Sequence, residues 1–97
     1  MLIAVFTNKE NKISSCLEET KNLMIYDRKF EKVKFIENRF INDSGIKNLI
    51  YNISDCKFVI SKYIIYGSDL FKKFSDLGIQ TIKEDRTIDP LYAVRLM

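Results

Sequence analysis

The chain has 97 residues, 46% of them hydrophobic, which is enough for one core and leaves no room for a second. We therefore predict a single domain over residues 1–97. Its sixteen Lys and Arg and thirteen Asp and Glu are interspersed and give a net charge of +3, unlike the strongly basic profile of nucleic-acid-binding proteins. The apolar start, residues 1–6, is too short for a signal-peptide core or a membrane span, so we expect a cytoplasmic protein that makes no membrane contact.

Three strands are predicted in the first half of the chain, over residues 2–7, 23–26 and 33–38. The first is a continuous apolar run, which is typical of a central strand covered on both faces, and turn residues follow it at 8–11. The second and third are close enough to form a hairpin, and the alternation of Val33, Phe35 and their neighbours predicts one face in water. Four cations lie between residues 26 and 34. We favour a solvated hairpin, and attraction of an anionic partner is the alternative.

Helices and strands alternate in the second half. Apolar residues at helical spacing predict an amphipathic helix over residues 44–54, followed by a buried strand at 58–60 that continues toward residue 63. A second helix is predicted from residue 67, with an apolar stripe of Leu70, Phe71, Phe74 and Leu77, and Gly78 as its left-handed cap. A strand at 79–82 and a short terminal helix after Asp89 and Pro90 complete the chain.

The predicted order is β-β-β-α-β-α-β-α. A three-strand opening followed by βαβα units predicts an α/β fold with a five-stranded mixed sheet and helices on its faces. In the terminal helix, Leu91, Val94 and Met97 are the residues expected to face inward.

Several short segments, in this order and spacing, resemble the dinitrogenase iron–molybdenum cofactor biosynthesis family of small accessory domains. They are residues 3–5 (Ile-Ala-Val), 13–14, 25–27, 33–38, 55–60 (Asp-Cys-Lys-Phe-Val-Ile), 77–79 and 88–89. The resemblance runs nearly from end to end. It implies a three-layer α/β/α ribonuclease H-like fold and a role in binding iron–sulfur or iron–molybdenum cofactor intermediates and passing them between assembly proteins.

The resembling family has a Ser-x-His-Phe-Gly motif in the loop after its first strand, and this chain departs from it. Residues 14–18 read Ser-Ser-Cys-Leu-Glu, so Cys16 stands where the histidine would be, and the chain contains no histidine. A thiolate is a good iron ligand, so Cys16 is the candidate metal ligand, with a buried structural thiol as the alternative. Cys56 is a second, weaker candidate for which burial is the favoured interpretation.

Two loops are candidates for cofactor binding. Residues Ser14, Ser15 and Cys16 follow the first strand, and Lys62, Gly67 and Ser68 surround the end of the fourth, where open α/β sheets bind anionic ligands. Neither GxxxxGK nor GxGxxG is present, so no nucleotide-binding motif supports this site. We expect an iron–sulfur or iron–molybdenum cluster as the bound species, with no cofactor as the alternative.

A catalytic constellation is not evident. The first strand has no acid that could start a two-metal nuclease site, and the lack of histidine excludes Ser/His and Cys/His hydrolases of the usual form. We therefore predict a non-catalytic binding protein. The alternative is a diverged protein-interaction module that has lost the cluster. The expected partners are metallocluster-assembly proteins, or a second copy contacted through the apolar run at residues 63–66.

Overall fold

The computed structural model describes residues 1–14, 20–37, 53–62, 69–86 and 88–96. Within them the elements are β1 (Leu2–Thr7), β2 (Asn22–Asp27), β3 (Lys32–Glu37), β4 (Cys56–Ser61), α1 (Asp69–Asp76), β5 (Gln80–Lys83) and α2 (Pro90–Arg95). All five predicted strands are confirmed to within two residues at each end. Apart from its last two residues, the helix predicted over 44–54 lies outside the described residues, as do residues 63–68 and Met97.

The five strands form one mixed sheet in the order β3-β2-β1-β4-β5. β1 pairs antiparallel with β2 and parallel with β4, β2 pairs antiparallel with β3, and β4 pairs parallel with β5. The mixed sheet predicted from the sequence is therefore confirmed. β1 lies at its centre, as its apolar run predicts, and its side chains from Ile3 to Thr7 are buried.

Side chains that alternate along β1 separate the core into two clusters. Ala4 and Phe6 point to the cluster that contains Phe74 of α1, which we call the α1-side cluster. Ile3 and Val5 point to the cluster that contains Ala93 and Val94 of α2, the α2-side cluster. The two helices therefore cover opposite faces of the sheet, which gives the layered α/β arrangement. No helix in the described part of the chain is long and apolar enough to cross a membrane.

Turn and cap residues act as their chemistry predicts. Asn8 Oδ1 accepts from the backbone N–H groups of Glu10 and Lys12, both at 3.0 Å, and closes the turn after β1. Gly78 has φ +75°, the left-handed conformation expected of a residue that ends a helix. Asp89 caps α2 by accepting from the Leu91 N–H at 2.9 Å, with Pro90 in the first turn.

Two expectations about side-chain orientation were wrong. Leu77 is 44% exposed, because α1 ends at Asp76 and the chain then reverses through Gly78, so the predicted inward stripe stops short of Leu77. On β3, Val33 and Phe35 are also exposed, and the half-buried residue is Ile36, which packs against the α1-side cluster. The reason is position: β3 is the last strand of the sheet and neither of its faces is fully covered.

Candidate functional site

The carboxyl ends of the parallel strands β1 and β4 lie side by side. Val5 is paired with Ile60, and continuing this register brings Lys62 level with Thr7. The chain leaves the two strands toward opposite faces of the sheet: Ile13 joins the α2-side cluster, whereas α1, which follows β4, covers the other face. Where neighbouring connections diverge in this way, a crevice opens at the carboxyl edge of an α/β sheet, and ligands bind there. We call this place the β1/β4 edge.

Two hydroxyl groups fix the chain beside the end of β1. Ser14 Oγ and Thr20 Oγ1 lie 2.6 Å apart, and both residues are buried. Ser14 also donates its backbone N–H to Phe6 O at 2.9 Å, and its hydroxyl is 3.3 Å from the same oxygen. Ser14 and Thr20, the residues on either side of the segment 15–19, are therefore joined to each other, and Ser14 is joined to β1.

Thr7, the last residue of β1, anchors the other end of this segment. Its carbonyl oxygen accepts from the Lys21 N–H at 2.7 Å, and its hydroxyl donates to Asn22 O at 3.1 Å. Because the Thr7 side chain is fully buried, this hydrogen bond satisfies a hydroxyl that water does not reach. The chain is thus held on both sides of residues 15–19.

The β4 side of the edge is polar as well. Ser61 is buried, and its carbonyl oxygen accepts from the Glu84 N–H at 3.0 Å, which ties the end of β4 to the chain after β5. Lys62 follows and is half-buried. An ammonium group in this position favours an anionic ligand over a neutral one.

The structure brings two of the six predicted cofactor-binding residues to this edge, Ser14 and Lys62. The hydroxyl of Ser14 is engaged in hydrogen bonds within the protein, so Ser14 positions the chain at this edge. The other four lie outside the described residues and remain predictions; they are Ser15, Cys16, Gly67 and Ser68. Thr20 was not predicted, because the sequence does not reveal that a threonine six residues from Ser14 completes a buried hydroxyl pair.

Cys56 lies at the opposite end of β4, at its first residue, level with Leu2. Its side chain is buried in the α1-side cluster, and burial, reinforced by the negative charge of Asp55, raises the pKa of the thiol to about 11. A cysteine binds a metal ion as the thiolate, so an environment that keeps the thiol protonated opposes metal binding and favours the structural interpretation of Cys56. Within the described ranges, no group of three or more His, Cys, Asp and Glu side chains is arranged to hold a metal ion.

Comparison with protein families gives a match that covers almost the whole chain. The model of the family described as "Dinitrogenase iron-molybdenum cofactor" matches residues 1–94. The chain belongs to this family. The resemblance inferred from the short segments of the sequence is therefore confirmed.

Solved structures support the fold of this family member. The apo form of the orange protein from Desulfovibrio gigas superposes with a TM-score of 0.78 at 13% identity, over 97% of this chain and 83% of that one. A Thermotoga protein provisionally assigned as NifB superposes with a TM-score of 0.69 at 15% identity, over 97% and 84% of the two chains. At such low identity the likeness concerns the fold. No curated protein matches the sequence significantly.

Proposed function

We propose that this family member binds an iron–sulfur or iron–molybdenum cofactor intermediate at the β1/β4 edge and passes it to an assembly partner. The family match over residues 1–94 is the observation that carries this proposal. The hydrogen-bonded edge supports it, because Ser14 and Thr20 flank the segment that contains Cys16. The two residues are hydrogen-bonded to each other, and Ser14 is also bonded to the central strand β1. A binding segment held by a rigid scaffold is the usual arrangement of functional loops.

Each residue at the edge has a distinct role in this proposal. The Cys16 thiolate is the protein's iron ligand, and sulfur is the donor that iron clusters prefer. Lys62 offsets the negative charge of a thiolate-bound cluster from the neighbouring strand. Ser14 and Thr20 hold the segment in place. One thiolate does not fill all the coordination positions of a cluster, so the remaining ligands come from the cofactor itself or from the partner. Such incomplete ligation by this protein makes transfer to the partner easier.

The proposed role is that of a carrier without catalysis. Transfer of a preformed cluster needs exchange of ligands but no general acid or base with a pKa near neutrality. The chain has no histidine, the usual residue for that work.

Anaerobic reconstitution with ferrous iron and sulfide tests the proposal. We expect the wild-type protein to develop visible charge-transfer absorption after desalting, and the Cys16→Ser variant to lose most of it. Cys56→Ala is the matched control, because it removes the other thiol from a buried site at the opposite end of β4. A colourless wild-type protein, or equal loss in the two variants, contradicts cluster binding through Cys16.

A second candidate function is a protein-interaction module that has kept the fold and lost the cluster. The observation that favours it is the replacement of the family's histidine-containing loop by residues 14–18, which read Ser-Ser-Cys-Leu-Glu. In that case the reconstituted protein stays colourless, while binding to an assembly partner persists and is insensitive to Cys16→Ser.

A further inference from the structure

A groove lies between α1 and β5, the strand at the end of the sheet opposite β3. Its volume is about 320 Å³, and it is lined by Phe71 and Ser75 of α1 and by residues 79–82. Thr81 is paired with Val59, which belongs to the α1-side cluster, so the Thr81 side chain is on the α1 side of the sheet as well. The groove thus has a helix on one side and an edge strand on the other. We call it the β5 groove.

Thr81 carries a hydroxyl group that the fold does not satisfy. Its Oγ1 is buried and has no hydrogen-bond partner in the part of the chain that the structure describes. The buried hydroxyls of Thr7 and Ser14, by contrast, are both engaged in hydrogen bonds. A buried hydroxyl without a partner costs stability and is rare in folded proteins. The Thr81 hydroxyl therefore points to a ligand that offers it a hydrogen bond.

The backbone of β5 also has unpaired groups, along its outer edge. Glu84 donates its N–H to Ser61 O at 3.0 Å, so the backbone groups of Glu84 point toward β4. Because these groups alternate in direction along a strand, those of Ile82 point toward β4 too, and those of Thr81 and Lys83 point away from it. None of the described residues supplies a backbone partner for these outward groups. An added extended chain would pair with both residues.

We propose that the β5 groove binds an extended segment of a partner protein, which adds a strand antiparallel to β5 and places a threonine opposite Thr81. Strand addition satisfies the outward N–H and C=O groups of Thr81 and Lys83. A threonine in the paired position brings a hydroxyl to Thr81 Oγ1 and a methyl group to Phe71. Antiparallel pairing is the more stable arrangement per residue. The proposal does not depend on cluster binding, since it concerns other residues and another ligand.

A second copy of the chain is not the occupant that these groups favour. Its own β5 could pair with β5 only where outward-pointing residues meet: Thr81 with Lys83, Lys83 with Lys83, or Thr81 with Thr81. The first register lays a lysine side chain across the groove beside Phe71, with no acid among the lining residues, and the second opposes two lysines. In the third, the next residue to pair is Ile79, whose N–H already donates to Phe74 O at 2.9 Å.

Amide exchange of the isotope-labelled protein provides the first test. In the free protein we expect Ile82 and Glu84 to be protected and Thr81 and Lys83 to exchange freely. The blocked peptide Ser-Val-Gln-Val-Thr-Val-Ser, at about 1 mM, should slow exchange of Thr81 and Lys83 at least about twofold and leave β3, the other edge strand, unchanged. Protection of Thr81 and Lys83 without peptide, no effect of the peptide, or an equal effect on β3 overturns the proposal.

Backbone methylation of the peptide separates strand addition from contact between side chains alone. In the proposed register the amides of the peptide's Gln and Thr face β5, and the amide of the Val between them faces away. We expect N-methylation of Gln and Thr to abolish binding, and N-methylation of that Val to change it by less than about twofold. Equal effects of the two methylated peptides contradict strand addition.

The Thr81→Val variant tests the role of the hydroxyl. Replacing the peptide's Thr with Val should weaken binding to the wild-type protein about fivefold, and the two peptides should bind Thr81→Val equally well. Without peptide, Thr81→Val should unfold at a higher temperature than the wild type, because it removes an unsatisfied hydroxyl. Equal binding of the two peptides to the wild type, or a lower unfolding temperature of the variant, overturns the assignment of Thr81.

Sedimentation of the free protein examines the other occupant. We expect a monomer at all concentrations used for peptide binding. A dimer whose formation protects the amides of Thr81 and Lys83 assigns the β5 edge to a second copy and overturns the proposal.

Discussion

β1 and β3 have the same length and belong to the same sheet, yet they differ in almost every physical respect. β1 has strands on both sides and a helix over each face, and five of its six residues are buried. β3 is the last strand in the sheet, and none of its residues is fully buried. The difference shows what position in a sheet does to a strand: β1 is covered on both faces and holds the β1/β4 edge, whereas β3 has a neighbouring strand on one side only.

The largest expected effect is the difference in unfolding free energy between a truncation on β1 and one on β3. Phe6→Ala removes a fully buried ring from the α1-side cluster and should lower the free energy of unfolding by about 3–5 kcal/mol. Phe35→Ala removes a half-exposed ring from β3 and should lower it by less than about 1 kcal/mol. Urea denaturation measures both. Similar losses in the two variants would show that β3 is covered in solution and would break the comparison.

A pH-dependent effect is expected at Cys56, the residue of β4 beside the start of β1. Burial raises the pKa of this thiol from 9.0 to about 11. Between these values the unfolded chain loses the thiol proton while the folded chain keeps it, so Cys56 lowers stability as the pH rises from 9 to 11. The difference in unfolding free energy between wild type and Cys56→Ala should therefore shrink over this interval. A constant difference would indicate that the thiol is accessible to solvent.

At the carboxyl end of β1, the hydrogen bond between the hydroxyls of Ser14 and Thr20 should contribute less to the free energy of unfolding than the buried Phe6 ring does. Thr20→Val preserves shape but deprives Ser14 Oγ of its 2.6 Å partner, and we expect a loss of about 1–2 kcal/mol in unfolding free energy. The amides of Ser14 and Lys21 should then exchange with solvent faster than in wild type. Ser75→Ala, at an exposed serine of α1, is the control and should change neither quantity. Unchanged exchange in Thr20→Val would mean that the pair does not hold the segment.

The smallest expected effect concerns the helix that covers the α2 side of β1. Asp89→Ala removes the acceptor of the Leu91 N–H and should lower the free energy of unfolding by about 1 kcal/mol. Asp89→Asn keeps an acceptor oxygen and should restore most of it. Thermal unfolding of the three proteins gives the comparison. If Asn is as destabilising as Ala, the effect comes from lost charge and not from the cap.

Much of the fold could be predicted, because its signals are local. The apolar run of β1, the turn at Asn8, the reversal at Gly78 and the cap at Asp89 each depend on a few neighbouring residues. What the sequence did not reveal depends on the order of strands. Val33 and Phe35 alternate as a half-buried strand would, and only the place of β3 at the end of the sheet explains why they are exposed.

The loops of the candidate site could be inferred from the sequence, but their proximity and their hydrogen bonds could not. The α/β pattern placed Ser14 after β1 and Lys62 at the end of β4, and the pairing of β1 with β4 brings these two ends together. The partnership of Ser14 with Thr20 could not, because two small hydroxyl residues six positions apart carry no pattern of their own. Likewise, the environment that raises the pKa of Cys56 is formed by residues distant in sequence, such as Phe74 and Ile79.

Paramagnetic broadening tests most directly whether the cargo binds at the β1/β4 edge. After anaerobic reconstitution of the labelled protein with iron and sulfide, we expect the amide signals of Ser14, Thr20 and Lys62 to broaden, because an iron cluster relaxes nearby nuclei. Signals from Phe30 and Val33, about 20 Å away at the other end of the sheet, should stay sharp. Broadening that is centred on the hairpin, or spectra that do not change on reconstitution, would contradict the account.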